Sequence, residues 1–326
     1  MQPVGATWAR LGVLHGYGDH IGRYAEFMAW MARQGVACSG LDFRGHGRSA
    51  GRRGAVRRWD DYLDDLDAFL RWEAGDAERE VSRPAATVRL PGFDSPSSVS
   101  ASAETARPPL FLLGHSHGGL ILAAAVLRGR VAPPGCIFTA PYFRQKMVVP
   151  KAKEAFARAL VALVPDLPVP SGLKDEWMTR DPEKLADSRA DTRILRIATP
   201  RWFFSARRLQ MQVLAAADGF HLPCLMFMGD ADEVADPAGA REFCDAAGSL
   251  DKTYRELPGA FHELLRDTGR EPIFAEILAW LRARTGIRPE PPPASPGAGR
   301  PHGPVLPRSS AQVPPPRPSG APGAPA

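Results

Sequence analysis

The sequence predicts an α/β fold, a mainly parallel sheet with helices on both faces, and three observations predict it. Six short apolar runs alternate with segments of helical periodicity, the pattern of a parallel sheet whose crossover connections carry helices. Several of these runs are nearly continuous in apolar residues, as strands buried on both faces must be. The chain is also long enough: it has 326 residues, 44% of them hydrophobic, and residues 1–286 suffice for one large core.

The expected strands are 11–14, 36–43, 110–113, 136–139, 222–228 and 253–257, and the expected helices 23–34, 59–72, 119–129, 237–247 and 272–284. Asp236-Pro237 marks a helix start, because aspartate accepts from free N–H groups of the first turn and proline tolerates the first helical position. Two segments break the rhythm. Residues 75–108 are rich in Ser, Ala, Pro and Glu and are expected to form a disordered surface insertion. In 141–221, Phe156, Leu160, Leu163, Val164 and Leu167 recur at roughly helical spacing. That stripe fits an amphipathic helix packed on the domain, or a cap whose apolar face covers a pocket.

Residues 287–326 hold 14 of the 33 prolines, and four arginines against the single Glu290. With almost nothing apolar to bury, this tail is expected to be disordered, and a proline-rich segment of this kind can serve a recognition domain of unspecified identity. It carries +3 of the formal +5, so the basic balance is a poor argument for a nucleic-acid partner. Arg44, Arg48, Arg52, Arg53, Arg57 and Arg58 lack an accompanying aromatic platform. They read as a solvated loop, with weak attraction to anionic lipid surfaces as the alternative.

Cys38, Cys136, Cys224 and Cys244 have no paired spacing and are expected to be reduced core residues. No secretory leader is visible, and the longest apolar stretch, 120–127, is far below the roughly 20 residues of a membrane span. The expectation is a cytoplasmic protein with at most peripheral membrane contact. No metal-ligand constellation, GxGxxG or phosphate loop occurs, so neither metal nor cofactor is expected.

The chemistry centres on Gly114-His115-Ser116-His117-Gly118. A serine on a sharp strand-to-helix turn is exposed in a strained conformation, and flanking glycines let neighbouring backbone pass closely. The helix N-terminus then directs free N–H groups at a forming oxyanion. In hydrolases of this fold the acid and then the histidine follow the serine, each after a later strand. His262 lies after the strand at 253–257, whereas His221 precedes one and sits at the wrong end of a parallel sheet. Among the acids, Asp236 already has a role as N-cap; Asp232 is preferred, with Asp230 second. The oxyanion donors are expected to be the backbone N–H groups of His117 and Tyr17. The His117 side chain is expected to point away from Ser116.

These residues resemble a family. His15-Gly16-Tyr17-Gly18-Asp19-His20-Ile21-Gly22-Arg23-Tyr24 is similar to the HGxxxHxxRY opening of the monoacylglycerol lipase and lysophospholipase group of α/β-hydrolases, also described as serine-aminopeptidase-like. Residues 42–54 resemble the next signature of that group and 114–119 its nucleophile elbow, with His117 where methionine is usual. The resemblance runs from about residue 4 to 285, outside the insertion and most of the cap. It implies an α/β-hydrolase fold with a helical cap over a tunnel, and hydrolysis of monoacylglycerols, lysophospholipids or related esters through an acyl-enzyme. It implies Ser116 as nucleophile, His262 as base and Asp232 as acid. Family members usually carry two further strands before the HG motif. Only about ten residues precede the first strand here, so those antiparallel strands are expected to be missing. Two other readings stay open: the same triad acting on a peptide N-terminus, thioester or small ester, and a catalytically silent hydrolase-like scaffold.

Overall fold

The structure, a computed structural model, describes residues 1–3, 5–75 and 107–286. The expected tail and nearly all of the expected insertion lie outside the described residues. Strands β1 (Ala9–Leu14), β2 (Val36–Leu41), β3 (Leu110–His115), β4 (Cys136–Thr139), β7 (Cys224–Gly229) and β8 (Lys252–Leu257) form one sheet in the order β2-β1-β3-β4-β7-β8. All its pairings are parallel. A two-stranded antiparallel ribbon pairs β5 (Val169–Pro170) with β6 (Ile197–Ala198). The helices are α1 (Ala25–Arg33), α2 (Asp60–Glu73), α3 (His117–Leu127), α4 (Lys151–Leu163), α5 (Pro182–Ala190), α6 (Pro200–Ala215), α7 (Pro237–Ala246) and α8 (Arg270–Thr285).

Burial explains which runs became which strands. The central strands β4 and β7 are buried at every residue, which is why their sequences are continuously apolar rather than alternating. The edges are different: β8 has only exposed and half-buried residues, and β2 loses burial toward Leu41. No antiparallel strand joins this sheet among the described residues, and β2 forms its edge beyond β1. The backbone of Met1 exchanges hydrogen bonds with Cys38 on that strand.

Helix α3 is buried from His117 through Ala125, so it has no polar face and runs through the core. It starts two residues earlier than periodicity predicts, because Ser116 occupies the N-cap position and the helix begins at once behind it. All four cysteines are free and buried. Burial raises the thiols of Cys38 and Cys224 to about 12.

The segment 141–221 supplies most of the residues that border an apolar pocket. Helix α4 forms over the predicted stripe, yet it buries no residue. Phe156 is 63% and Leu163 80% exposed, while Lys153, Glu154 and Ala157 border the pocket beneath. Phe156 and Leu163 of the stripe thus face solvent, while Leu160 is half-buried and the helix packs against α6 and borders the pocket. The loop around Met147 and Phe203 of α6 border the same pocket. Helix α6, which the apolar stripe did not reveal, packs against α3 and α7. It carries its own start signal: Thr199 Oγ1 accepts the Trp202 N–H at 3.3 Å, and Pro200 stands in the first turn.

Candidate active site

Four loops at the carboxyl ends of parallel strands converge, the position at which such sheets place their sites. β3 delivers Ser116, β7 delivers Asp232, β8 delivers His262, and β1 delivers Gly16 and Tyr17. Ser116 has φ 50° and ψ −115°, a conformation that side-chain-bearing residues adopt only at a cost of about 1–3 kcal/mol. The glycines around it are required. A Cβ on Gly114 would lie 2.7 Å from the Gly118 carbonyl oxygen, and one on Gly118 would collide with the Leu14 carbonyl. Gly16 passes so closely that its Cβ would meet Ser116 Cβ at 3.4 Å.

Ser116 Oγ lies 2.9 Å from His262 Nε2, and His262 Nδ1 lies 2.6 Å from Asp232 Oδ2. Asp232 is fully buried, and its other oxygen accepts the N–H groups of Val234 at 2.7 Å and Ala235 at 2.9 Å. Those bonds fix the rotamer of the carboxylate and leave Oδ2 for the imidazole. Burial is the largest influence on His262 and opposes its protonation. The Asp232 charge and hydrogen bond, helped by Glu263 and Asp19, outweigh it, and the pKa is raised above 6.5. An imidazole so placed can take the Ser116 proton and hold it as an imidazolium against Asp232.

The competing acids have other work. Asp230 is exposed and accepts the Gly259 N–H at 2.6 Å, tying the two loops together. Asp236 caps α7 through the Ala238 N–H. His221 is exposed on the loop before β7. His117 opens α3, and among the described residues neither its backbone N–H nor that of Tyr17 bonds to another backbone group. As expected, the His117 side chain turns away from Ser116; it is buried against Tyr62 and Trp59.

A buried ionic cluster backs the site, and sequence reasoning did not find it. The Arg23 guanidinium donates to both oxygens of Glu263 at 2.7 and 2.8 Å, to Asp19 at 3.1 Å and to Ser188 Oγ at 2.6 Å. It thus joins the loop after β1, helix α5 and the residue next to His262. Arg23 stands in the HGxxxHxxRY motif, but nothing local marks Glu263 as its partner 240 residues away.

Ser116 sits where two hollows meet. One, enclosing roughly 820 Å³ with its open mouth, is almost wholly apolar and bordered by Tyr142, Met147, Val149, Trp202 and Phe203. The other, roughly 590 Å³, has a mixed lining in which Arg23, Asp175, Ser188 and Arg196 stand among Leu173, Met178 and Ile194.

The sequence matches the serine aminopeptidase (S33) family over residues 6–84 and 98–269. The chain belongs to that family. Among curated relatives it is 25% identical over 270 residues to phospholipase YtpA of Bacillus subtilis (82% of this chain, 93% of that protein). It is 28% identical over 293 residues to human monoglyceride lipase (87% of this chain, 86% of that protein). The solved structure of Paleococcus ferrophilus monoacylglycerol lipase superimposes with a TM-score of 0.69 at 23% identity, covering 86% of this chain and 96% of that one. The shared fold is therefore that of the α/β-hydrolases.

Proposed function

We propose that this S33-family protein is a serine carboxylic ester hydrolase acting on monoacylglycerols or lysophospholipids. One observation carries the substrate class: Ser116 lies between a strongly apolar hollow and a second one of mixed lining, where Arg23, Asp175, Ser188 and Arg196 stand among Leu173, Met178 and Ile194. An ester with a single acyl chain and a hydroxylated or charged alcohol matches that division, the chain on the Met147 and Phe203 side, the alcohol on the Arg23 and Ser188 side. Relatives bearing the names monoglyceride lipase and phospholipase support the same class.

In this reading Ser116 attacks the ester carbonyl as His262 takes its proton, and Asp232 stabilises the imidazolium. The N–H groups of Tyr17 and His117 receive the tetrahedral oxyanion, each worth on the order of 3 kcal/mol of barrier. His262 then protonates the leaving alcohol, and water repeats the cycle on the acyl-enzyme. The chemistry calls on no metal or cofactor.

A peptidase would need a free carboxylate to bind the substrate amine. The acids beside Ser116 are engaged: Asp19 and Glu263 by Arg23, and Asp175 by Arg196. That favours an ester over a peptide N-terminus.

The exposed α4 face adds a place for the reaction. Phe156, Leu163 and Val164 stand in solvent on a helix whose first turn carries Lys151 and Lys153, a combination suited to an anionic lipid surface. No described helix is long and apolar enough to cross a membrane, so this contact is peripheral.

A fluorescent fluorophosphonate tests the mechanism, with Ser116→Ala as control. Labelling lost in the variant is expected, followed by faster turnover of monoacylglycerol and lysophosphatidylcholine than of aminoacyl p-nitroanilides. Folded wild-type protein that takes no label overturns the reading in favour of a silent scaffold, and faster amide turnover overturns the ester.

A further inference from the structure

His117, where methionine is usual, follows the nucleophile and is completely buried. Its ring is edge-on to Tyr62 at 4.8 Å, to Trp59 at 5.1 Å and to Tyr17 at 5.8 Å. Its Nε2 accepts a long hydrogen bond of 3.4 Å from the Trp202 indole N–H. Accepting there requires a neutral ring with its proton on Nδ1. Burial first, and then the nearby His46 and His15, favour that state by driving the pKa far below 6.5.

Among the described residues His117 Nδ1 has no hydrogen-bond partner, and neither do the neighbouring Tyr62 hydroxyl and Trp59 indole N–H. A buried polar atom left unpaired is a cost that a methionine of similar size would not carry. What the imidazole supplies in return is its bond to Trp202.

Three separate elements meet there. Tyr17 belongs to the oxyanion loop after β1, His117 opens α3, and Trp202 lies in the first turn of α6; all three border the apolar hollow. Tyr17 and Trp202 stack with ring centroids 3.6 Å apart, and the Tyr17 hydroxyl donates to the Gly54 carbonyl. Thr199 holds the Trp202 backbone. The indole is thus anchored at its backbone by the helix cap, on its face by Tyr17 and at its polar edge by His117.

We propose that His117 determines acyl specificity: its hydrogen bond fixes Trp202 as a rigid wall of the acyl pocket beside Ser116. The inference rests on the ester-hydrolase reading. Without the acceptor, the indole keeps its stacking but loses the bond that sets its rotation, and a long acyl chain packing along it loses a defined surface. A short acyl group makes little contact with that wall, so the effect grows with chain length.

The test is the ratio of kcat/KM for p-nitrophenyl dodecanoate to that for the butyrate, measured on the full chain. His117→Met removes the acceptor and Trp202→Phe the donor, from opposite sides of the bond. Each is expected to lower the ratio at least fivefold, mainly through KM of the long ester. The double variant is expected to match the single ones, because the two share one interaction. His117→Gln, whose side-chain carbonyl accepts, is expected to keep the wild-type ratio.

A ratio within twofold of wild type in either single variant overturns the proposal. So do effects that multiply in the double variant, or a glutamine variant that behaves like methionine. Wild-type protein that cleaves neither ester overturns the ester-hydrolase reading, and this inference with it. Melting curves separate misfolding from a specific loss, and should one variant unfold, the other still reads the bond.

Discussion

Asp232 divides its carboxylate between two tasks. Oδ2 meets His262 Nδ1 at 2.6 Å, and Oδ1 accepts the N–H groups of Val234 and Ala235. The loop after β7 therefore sets the angle at which the imidazole faces Ser116.

Asp232→Asn is expected to keep the fold and lose the chemistry. An amide oxygen can still accept from Val234 and Ala235, but the amide NH2 then faces His262 Nδ1–H, donor against donor, and the wrong tautomer is favoured. We expect kcat to fall by a factor on the order of 10³ to 10⁴. Asp230→Asn, on the exposed tie to Gly259, is expected to stay within threefold of wild type. Steady-state ester hydrolysis with both variants decides between the two acids.

Ser116 holds a strained backbone at the start of α3. Its φ of 50° suits glycine better than any side-chain-bearing residue. Ser116→Gly and Ser116→Ala should both lose labelling, yet the glycine variant should be the more stable by about 1 kcal/mol. Equal denaturation midpoints in urea would mean that the elbow is unstrained.

The raised pKa of His262 gives the activity profile its direction. The base must be neutral to accept the Ser116 proton, so kcat/KM should rise with pH through an apparent pKa above 6.5 and then level off. An acid limb centred well below 6.5 would remove His262 as the titrating base.

Stability is expected to move with the other histidines. Burial depresses His115 to about 4 and His46 to about 3, and lowers His15 and His117 as well. As pH falls below 6.5 the unfolded chain takes up protons at these positions while the folded chain does not. The native state is then disfavoured by up to about 1.4 kcal/mol per pH unit for each such histidine. His262, with its raised pKa, has the opposite sign: its contribution is present below 6.5 and fades as pH rises through the folded value. The four depressed groups outnumber it, so Tm should drop between pH 6.5 and 5. A flat Tm across that range would mean these rings are protonated or solvated in the folded protein.

The sequence by itself determined the parallel sheet, because strands buried on both faces must be continuously apolar, as 136–139 and 224–229 are. It also marked Ser116, Asp232 and His262, since glycine spacing, strand ends and chain order are local or topological properties. Helix ends shifted by a residue or two where a cap or a strained turn took over, as at His117.

What only the tertiary structure decided depends on which surfaces meet. The apolar stripe of 156–167 indicated a helix but not its orientation, because periodicity records a face and not what that face touches. Helix α6 packs against α3, α4 and α7, with Phe156 and Leu163 left in solvent and Trp202 placed at the pocket. Arg23 and Glu263, far apart in the chain, became partners only when the loops after β1 and β8 met, for a buried guanidinium selects its carboxylate by distance in space.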